Sequence, residues 1–455
     1  MTLPASFLKS LEGIQGFSRE AFELVHQSGE QVTSVRLNPA KTEGVLPPEF
    51  VSQVDAIPWA RLGYYLRQRP SFTFDPLFHA GNYYVQEASS MFLEQAMIQL
   101  TQETAPVKVL DLCASPGGKS THLQSLLPAG SLLVSNEVIR SRAAVLRDNI
   151  VKWGGEQVVV TNNDPKDFSG LESFFDVLVV DAPCSGSGLF RRDPEAIGEW
   201  SLNNVQLCSQ RQQRILADCW PALKENGLLI FSTCSYSREE DEEIMDWIQQ
   251  ELDAENCPLK INEEWGIQET ASPGGNLGYR FWPDKVKGEG FFLACFRKRN
   301  GENPGQIKPK KLPERVTRAE KEFVNLWMNI TGKELIKHQQ TVYAWPEEQF
   351  HDFSVLLERM RVVYSGVKSG ELMRDKLVPD HALAMSGLVL ATVKRIDLTV
   401  ADAIRYLQRK DIRLEGVPTG WALACFAGQS LGWMNVLPGR INNYYPKELR
   451  ILRDI

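Results

Sequence analysis

The 455-residue chain has no apolar run near the ~20 residues that a bilayer-spanning helix needs, and Met1 to Gly16 lacks an export-signal pattern. The expectation is a soluble, cytoplasmic protein with no membrane partner and reduced thiols. Eight cysteines stand at 113, 184, 208, 219, 234, 257, 295 and 425, yet none forms a C-x-x-C pair, which excludes zinc-ribbon and thioredoxin readings. Histidine is scarce: positions 26, 79, 122, 338, 351 and 381 share no ligand spacing, H-E-x-x-H is absent, and no metal is expected. Internal repeats are also missing. With 43% hydrophobic and 24% charged residues the chain is neither disordered, collagen-like nor fibrous, and its length suggests about three domains.

Positive charge is in short supply too, and the net −7 speaks at face value against a nucleic-acid partner. The deficit is uneven. Residues 301–455 carry 23 Lys+Arg against 18 Asp+Glu, an excess of +5, whereas residues 1–300 carry 27 against 39, or −12. A basic back third on an acidic front keeps a polyanionic partner in view.

Gly301 to Glu314 (GENPGQIKPKKLPE) is polar, with three prolines and three lysines, and reads as a linker. Upstream, short apolar runs alternate with helical spacing: Val107–Leu112, Ser131–Val138, Gln157–Thr161, Phe174–Val180 and Gly227–Ser232 as strands, and Ser141–Trp153 and Gln206–Leu223 as helices. Phe174–Val180 is nearly continuous in apolar residues, as in a strand buried on both faces. Ser237 with Glu240 forms a Ser-x-x-Glu capping box at the start of a further helix. This alternation predicts a doubly wound α/β sheet, whose ligands lie beyond the carboxyl ends of the strands.

Asp-Leu-Cys-Ala-Ser-Pro-Gly-Gly-Lys-Ser (111–120) joins the first strand to its helix. Gly118-Lys119-Ser120 matches the end of a phosphate loop, but its leading glycine position holds Cys113; G-x-G-x-x-G fails as well. A tight glycine turn remains. Glu137 ends the second strand, where a carboxylate can accept both hydroxyls of a ribose, and Asp164 follows the third, where an adenine edge would lie. Each carboxylate alone could simply cap a turn or helix. Together, without a phosphate cradle, they suit a cationic adenosine ligand, and S-adenosylmethionine is that ligand.

Asp181-Ala182-Pro183-Cys184-Ser185 follows strand four, and Ser232-Thr233-Cys234-Ser235 follows strand five. Neighbouring strands would bring Cys184 and Cys234 to one cleft, although small buried strand-end cysteines are the commoner fate. Cys208, Cys219, Cys257, Cys295 and Cys425 read as core. DLCASPGGKS, DAPCSGSGLFRRDPEA and STCSYSREEDE resemble the motifs of the Sun (NOL/NOP/Sun) family of RNA cytosine-5 methyltransferases, and Gly81–Met91 (GNYYVQEASSM) resembles that family's entry into its catalytic domain. The resemblance implies a Rossmann-like class I methyltransferase domain. It places Cys113, Ala114, Ser115, Pro116, Gly117, Gly118 and Lys119 along the methionine end of S-adenosylmethionine. Glu137 is then assigned to the ribose, Asp164 to the adenine side, and Asp181 to cofactor and base. It further implies that Cys234 is the nucleophile and that Cys184 assists release, with Lys119 supplying positive field; DNA enzymes instead attack with the Pro-Cys cysteine. Two departures, Glu225-Asn226-Gly227 for Pro-Gly-Gly and Ser237-Arg238 for a proline, lie outside this chemistry.

The leading segment holds Val35-Arg36-Leu37-Asn38 and Tyr64-Tyr65-Leu66-Arg67, where basic residues beside aromatics could hold phosphates and stack bases, or simply form a half-buried strand. In the family this region resembles a small RNA-recognition-like α+β fold. Leu431–Arg450 (LGWMNVLPGRINNYYPKELR) mixes aromatic and basic residues and resembles the PUA-like β-rich domain of the bacterial small-subunit ribosomal RNA methyltransferase F type, in keeping with the +5 on this part. The expected division is 1–78, RNA-recognition-like; 79–300, methyltransferase; 301–314, linker; 315–380, intermediate; and 381–455, PUA-like and RNA-binding. The expected activity is methylation of cytosine carbon 5 in small-subunit (16S) ribosomal RNA, free or within the subunit, by a monomer. A tRNA methyltransferase of the same chemistry and a non-catalytic RNA-binding or ribosome-assembly factor are the alternatives; a scaffold would need neither thiol.

Overall fold

A computed structural model describes residues 2–44, 54–102, 104–301, 305 and 307–454. Residues 302–304 and 306 of the expected linker lie outside the described residues, and the rest of 301–314 carries neither helix nor strand. Among the described residues no helix is long and apolar enough to cross a membrane.

Four antiparallel strands, β1 (Thr33–Leu37), β2 (Val54–Ala56), β3 (Gly63–Leu66) and β4 (Tyr83–Val85), form a sheet in the order β2-β3-β1-β4. Because β4 pairs with Val35–Leu37, this sheet runs past residue 78, where the sequence reading ended the leading segment.

The second sheet contains β5 (Lys108–Asp111), β6 (Leu132–Asn136), β7 (Val158–Thr161), β8 (Phe175–Asp181), β9 (Leu223–Thr233), β10 (Ala254–Asn256), β11 (Gln268–Ala271), β12 (Leu277–Phe281) and β13 (Phe291–Lys298). Its order is β11-β12-β13-β9-β8-β5-β6-β7, with β10 on β13. β7-β6-β5-β8-β9 are parallel, and β13 is antiparallel to β9. The chain leaves β5 in one direction and returns on its other side at β8, so a topological switch point opens between them. Alternate residues fill opposite faces. Val109, Val177 and Val179 pack with Leu123 and Leu146 on one side, while Leu110, Leu178 and Val180 pack with Ile215, Leu216 and Ile244 on the other. Burial on both faces explains the near-continuous apolar run of β8. β9 starts at Leu223, earlier than the expected Gly227, because Leu223 pairs with Phe175 across an irregular register.

The back third adds β14 (Lys333–His338), β15 (Thr341–Pro346), β16 (Val362–Ser365), β17 (Val367–Met373) and β18 (Lys376–Pro379). β14-β15-β17-β18 form their own sheet, whereas β16 pairs antiparallel with β7 and covers that edge of the central sheet. β19 (Arg395–Asp397), β20 (Gly420–Phe426), β21 (Gln429–Leu437) and β22 (Arg440–Asn443) make a terminal β-rich sheet in that order.

Candidate active site

The residues singled out above collect at the carboxyl ends of the parallel strands. Beyond β5, the Leu112 and Ala114 N–H groups donate to Val179 O (2.9 Å) and Asn136 O (2.8 Å), so the loop is tied to both flanking strands. Gly117 then takes a left-handed φ of 116°, and a Cβ there would lie 3.3 Å from Leu146, before the helix Gly118–Leu126 begins. Asp111 is fully buried. Its Oδ2 accepts from Ser120 Oγ at 2.6 Å, its Oδ1 has no partner, and burial pushes its pKa up to about 7. Cys113 is half-buried among apolar side chains, and burial raises its thiol.

Glu137, 4% exposed after β6, accepts from Ile139 N–H at 2.9 Å and pairs with Arg142 at 3.5 Å. Asp181 at the end of β8 is paired with Lys119 Nζ at 2.8 Å and accepts from Ser232 Oγ at 2.9 Å. Asp164 stands one strand further out and does local work: it accepts from Lys166 N–H at 3.2 Å and forms a reciprocal cap with Asp167. The Cys113–Lys119 loop, Glu137 and Asp181 thus frame the switch point. An unpartnered buried carboxylate oxygen, a glycine turn and carboxylates at successive strand ends suit a cationic adenosine ligand better than a pyrophosphate.

The ladder between β8 and β9 sets Asp181 opposite Ser232, which leaves Cys184 and Cys234 a few residues beyond the paired ends. Their sulfurs are 3.1 Å apart, and both residues are half-buried. The hydrogen bond to Cys234 and burial raise the Cys184 thiol, with the Glu240 charge adding to both. Beneath them Gln212, on the helix Leu202–Cys219, donates to Pro183 O at 3.2 Å. Gly188 N–H donates to Cys234 O at 2.8 Å, and Tyr236 N–H to Ser187 Oγ at 3.0 Å. Cys208, Cys219, Cys295 and Cys425 are buried elsewhere, and Cys257 is half-buried.

The capping box expected of Ser237 and Glu240 does not form: Ser237 makes no side-chain cap, because the Glu240 carboxylate turns to Ser185 and Ser235 instead. Ser185 and Ser235 mark the two cysteine loops in the sequence without revealing a shared partner, and no local pattern marks Gln212 or Gly188. Arg36, a candidate phosphate contact by sequence, is 1% exposed. It donates to Gln86 Oε1 (2.8 Å) and Thr121 Oγ1 (2.7 Å) and lies 4.5 Å over the Trp153 ring, fastening the leading sheet to the helix after the glycine turn. In Leu431–Arg450, Trp433 and Tyr445 are core, while Tyr444 is exposed and packs 4.4 Å from the Trp421 ring.

Three family descriptions match the chain: "16S rRNA methyltransferase RsmB/F" over residues 97–297, "N-terminal domain of 16S rRNA methyltransferase RsmF" over 3–88, and "Methyltransferase RsmF PUA domain" over 393–451. The ribosomal RNA small subunit methyltransferase F of Shewanella piezotolerans is 30% identical, covering 87% of this chain and 85% of its own. The protein of that name from Aeromonas salmonicida is 28% identical over 98% of this chain and 97% of its own. A solved methyltransferase homolog from Pyrococcus horikoshii, 27% identical, superposes with a TM-score of 0.52 over 65% of this chain and 100% of that one. By its sequence relatives and by the arrangement of its three parts, the chain belongs to the ribosomal RNA small subunit methyltransferase F family.

Proposed function

We propose that the protein methylates carbon 5 of a cytosine in 16S ribosomal RNA, with S-adenosylmethionine as methyl donor, Cys234 as nucleophile and Cys184 assisting release. The observation that carries this reading is the pair of thiols, 3.1 Å apart at neighbouring strand ends, beside the acidic cradle around Lys119 and Asp181.

Carbon 5 of cytosine is a poor nucleophile. Addition of the Cys234 thiolate to carbon 6 breaks aromaticity and makes carbon 5 enamine-like. S-adenosylmethionine supplies an electrophilic methyl group when bound. The carbon 5 proton then leaves, the carbon 5–carbon 6 double bond re-forms, and the bond to Cys234 sulfur breaks. Cys184, 3.1 Å from Cys234, would assist the release, its raised pKa keeping it a neutral thiol that can hydrogen-bond the departing sulfur, while the carbon 5 proton passes to water. Cys113 to Lys119 would hold the methionine end of the cofactor and Glu137 its ribose. Asp164 would flank the adenine while keeping its cap. Asp181, fixed by Lys119 and Ser232, would reach cofactor and base, and Lys119 would add positive field. A stacked or paired target must be extruded to reach the thiols.

The leading sheet and the basic C-terminal sheet are the proposed RNA-binding parts, acting in the cytoplasm on free RNA or the small subunit. Denaturing gels after incubation with RNA and S-adenosylmethionine test the roles. Cys234→Ala should abolish methyl transfer without an adduct, and Cys184→Ala should accumulate a covalent protein–RNA adduct. Full activity in Cys234→Ala would falsify the assignment.

A further inference from the structure

We propose that Glu240 is a positioning residue that holds the two thiols at their working separation, an inference that rests on the two-cysteine reading above. Glu240 is fully buried at the end of the short turn Arg238–Glu240, after the Cys234 loop. One oxygen accepts from Ser185 N–H at 2.7 Å; the other accepts from Ser185 Oγ and from Ser235 Oγ, each at 2.6 Å. Ser185 follows Cys184 and Ser235 follows Cys234, so a single carboxylate grips both cysteine loops one residue from each sulfur.

The grip has a rigid anchor. Asp241 accepts from Thr233 Oγ1 at 2.6 Å and pairs with Arg280 at 3.0 Å, and Glu242 accepts from Arg280 Nε at 2.7 Å. The two residues after Glu240 are therefore fixed to β12, and the carboxylate reaches back from a stationary point. Both of its oxygens are engaged by donors. Glutamine would turn an N–H₂ toward one side and keep part of the bridge, whereas alanine would leave three buried donors without their acceptor.

The test uses the full-length protein and two readouts. Dibromobimane fluoresces when both arms react, and reports whether Cys184 and Cys234 can be bridged; Cys184→Ala supplies the background. Steady-state methylation gives kcat and KM separately. Glu240→Ala should lower bridging to that background and reduce kcat about 100-fold, as expected for a reactive group misplaced by about 1 Å, with KM for RNA and S-adenosylmethionine within about threefold. Glu240→Gln should restore much of both. If Glu240→Ala does not fold, Ser185→Ala and Ser235→Ala carry the test, each lowering bridging and kcat together. Unchanged bridging in a folded Glu240→Ala, or in both serine variants, would overturn the proposal. So would a loss confined to KM. Bridging needs no substrate, so failure of the clamp stays distinguishable from failure of the Cys234 assignment.

Discussion

Gly188 shows how closely the backbone is packed around the proposed nucleophile. A Cβ on it would meet Gly290 O at 2.5 Å and Cys234 O at 2.7 Å, and its N–H already holds Cys234 O. Gly188→Ala should therefore displace the Cys234 loop, costing about 1–3 kcal/mol in stability and at least tenfold in kcat, read by thermal unfolding and methylation rate. Wild-type values for both would show that the loop has room to spare. At this scale the placement of the candidate residues was largely legible: Cys184, Cys234, Asp181 and the glycine turn each stand at the end of an apolar run that had to be a strand. The ties of Glu240 to Ser185 and of Gly188 to Cys234 were not, because each spans some 50 residues of chain and no local pattern marks a carboxylate shared by two loops. Arg36 stayed open between two readings for the converse reason; an arginine beside aromatics reads the same whether it faces phosphate or a buried helix.

The elements most visible in sequence are those buried on both faces, and β8 is the clearest. The β16 strand was invisible, since its partner β7 precedes it by some 200 residues and its short apolar run makes sense only on that edge. The ion cluster under the Cys234 loop is also an arrangement of elements: Arg280 on β12 faces Asp241 and Glu242 at the start of the helix Glu242–Glu251, and donates to Tyr236 O at 3.1 Å. Its attraction to both carboxylates keeps Glu242 below the usual carboxylate range despite burial, whereas burial pushes Asp241 up. Removing the cation leaves two buried carboxylates facing each other. Arg280→Met should destabilise the protein by about 3–5 kcal/mol, seen as a lower urea midpoint. A midpoint within error of wild type would mean that the cluster relaxes into solvent.

Across the whole molecule the uneven charge places the acidic surplus on the front of the chain, where the proposed cofactor carboxylates lie, and the basic surplus on the back third. That back third is also knitted into the catalytic sheet through β16. Burial has a second global consequence. It pulls His26, His79, His122 and His381 down to about 4, so these imidazoles are neutral in the folded protein. A folded-state pKa below the unfolded value gives stability that is present above pH 6.5 and is lost as pH falls toward 4. Asp111 and Glu289, pushed up to about 7 by burial, act oppositely: their contribution is present at low pH and is lost as pH rises to 7. The two kinds of group are separated by substitution: His79→Gln should raise Tm at pH 4.5 relative to pH 6.5 when compared with wild type, and an unchanged pH profile would contradict the neutral burial of that histidine. The central claim, that this chain methylates cytosine carbon 5 in 16S ribosomal RNA through Cys234, is tested most directly by bisulfite sequencing of total RNA from a strain lacking the protein and complemented in turn with wild type and Cys234→Ala. The account predicts one 16S cytosine that is protected from conversion with wild type and converted in the deletion and in Cys234→Ala. An unchanged 16S signal with a lost tRNA signal, or protection restored by Cys234→Ala, would contradict it.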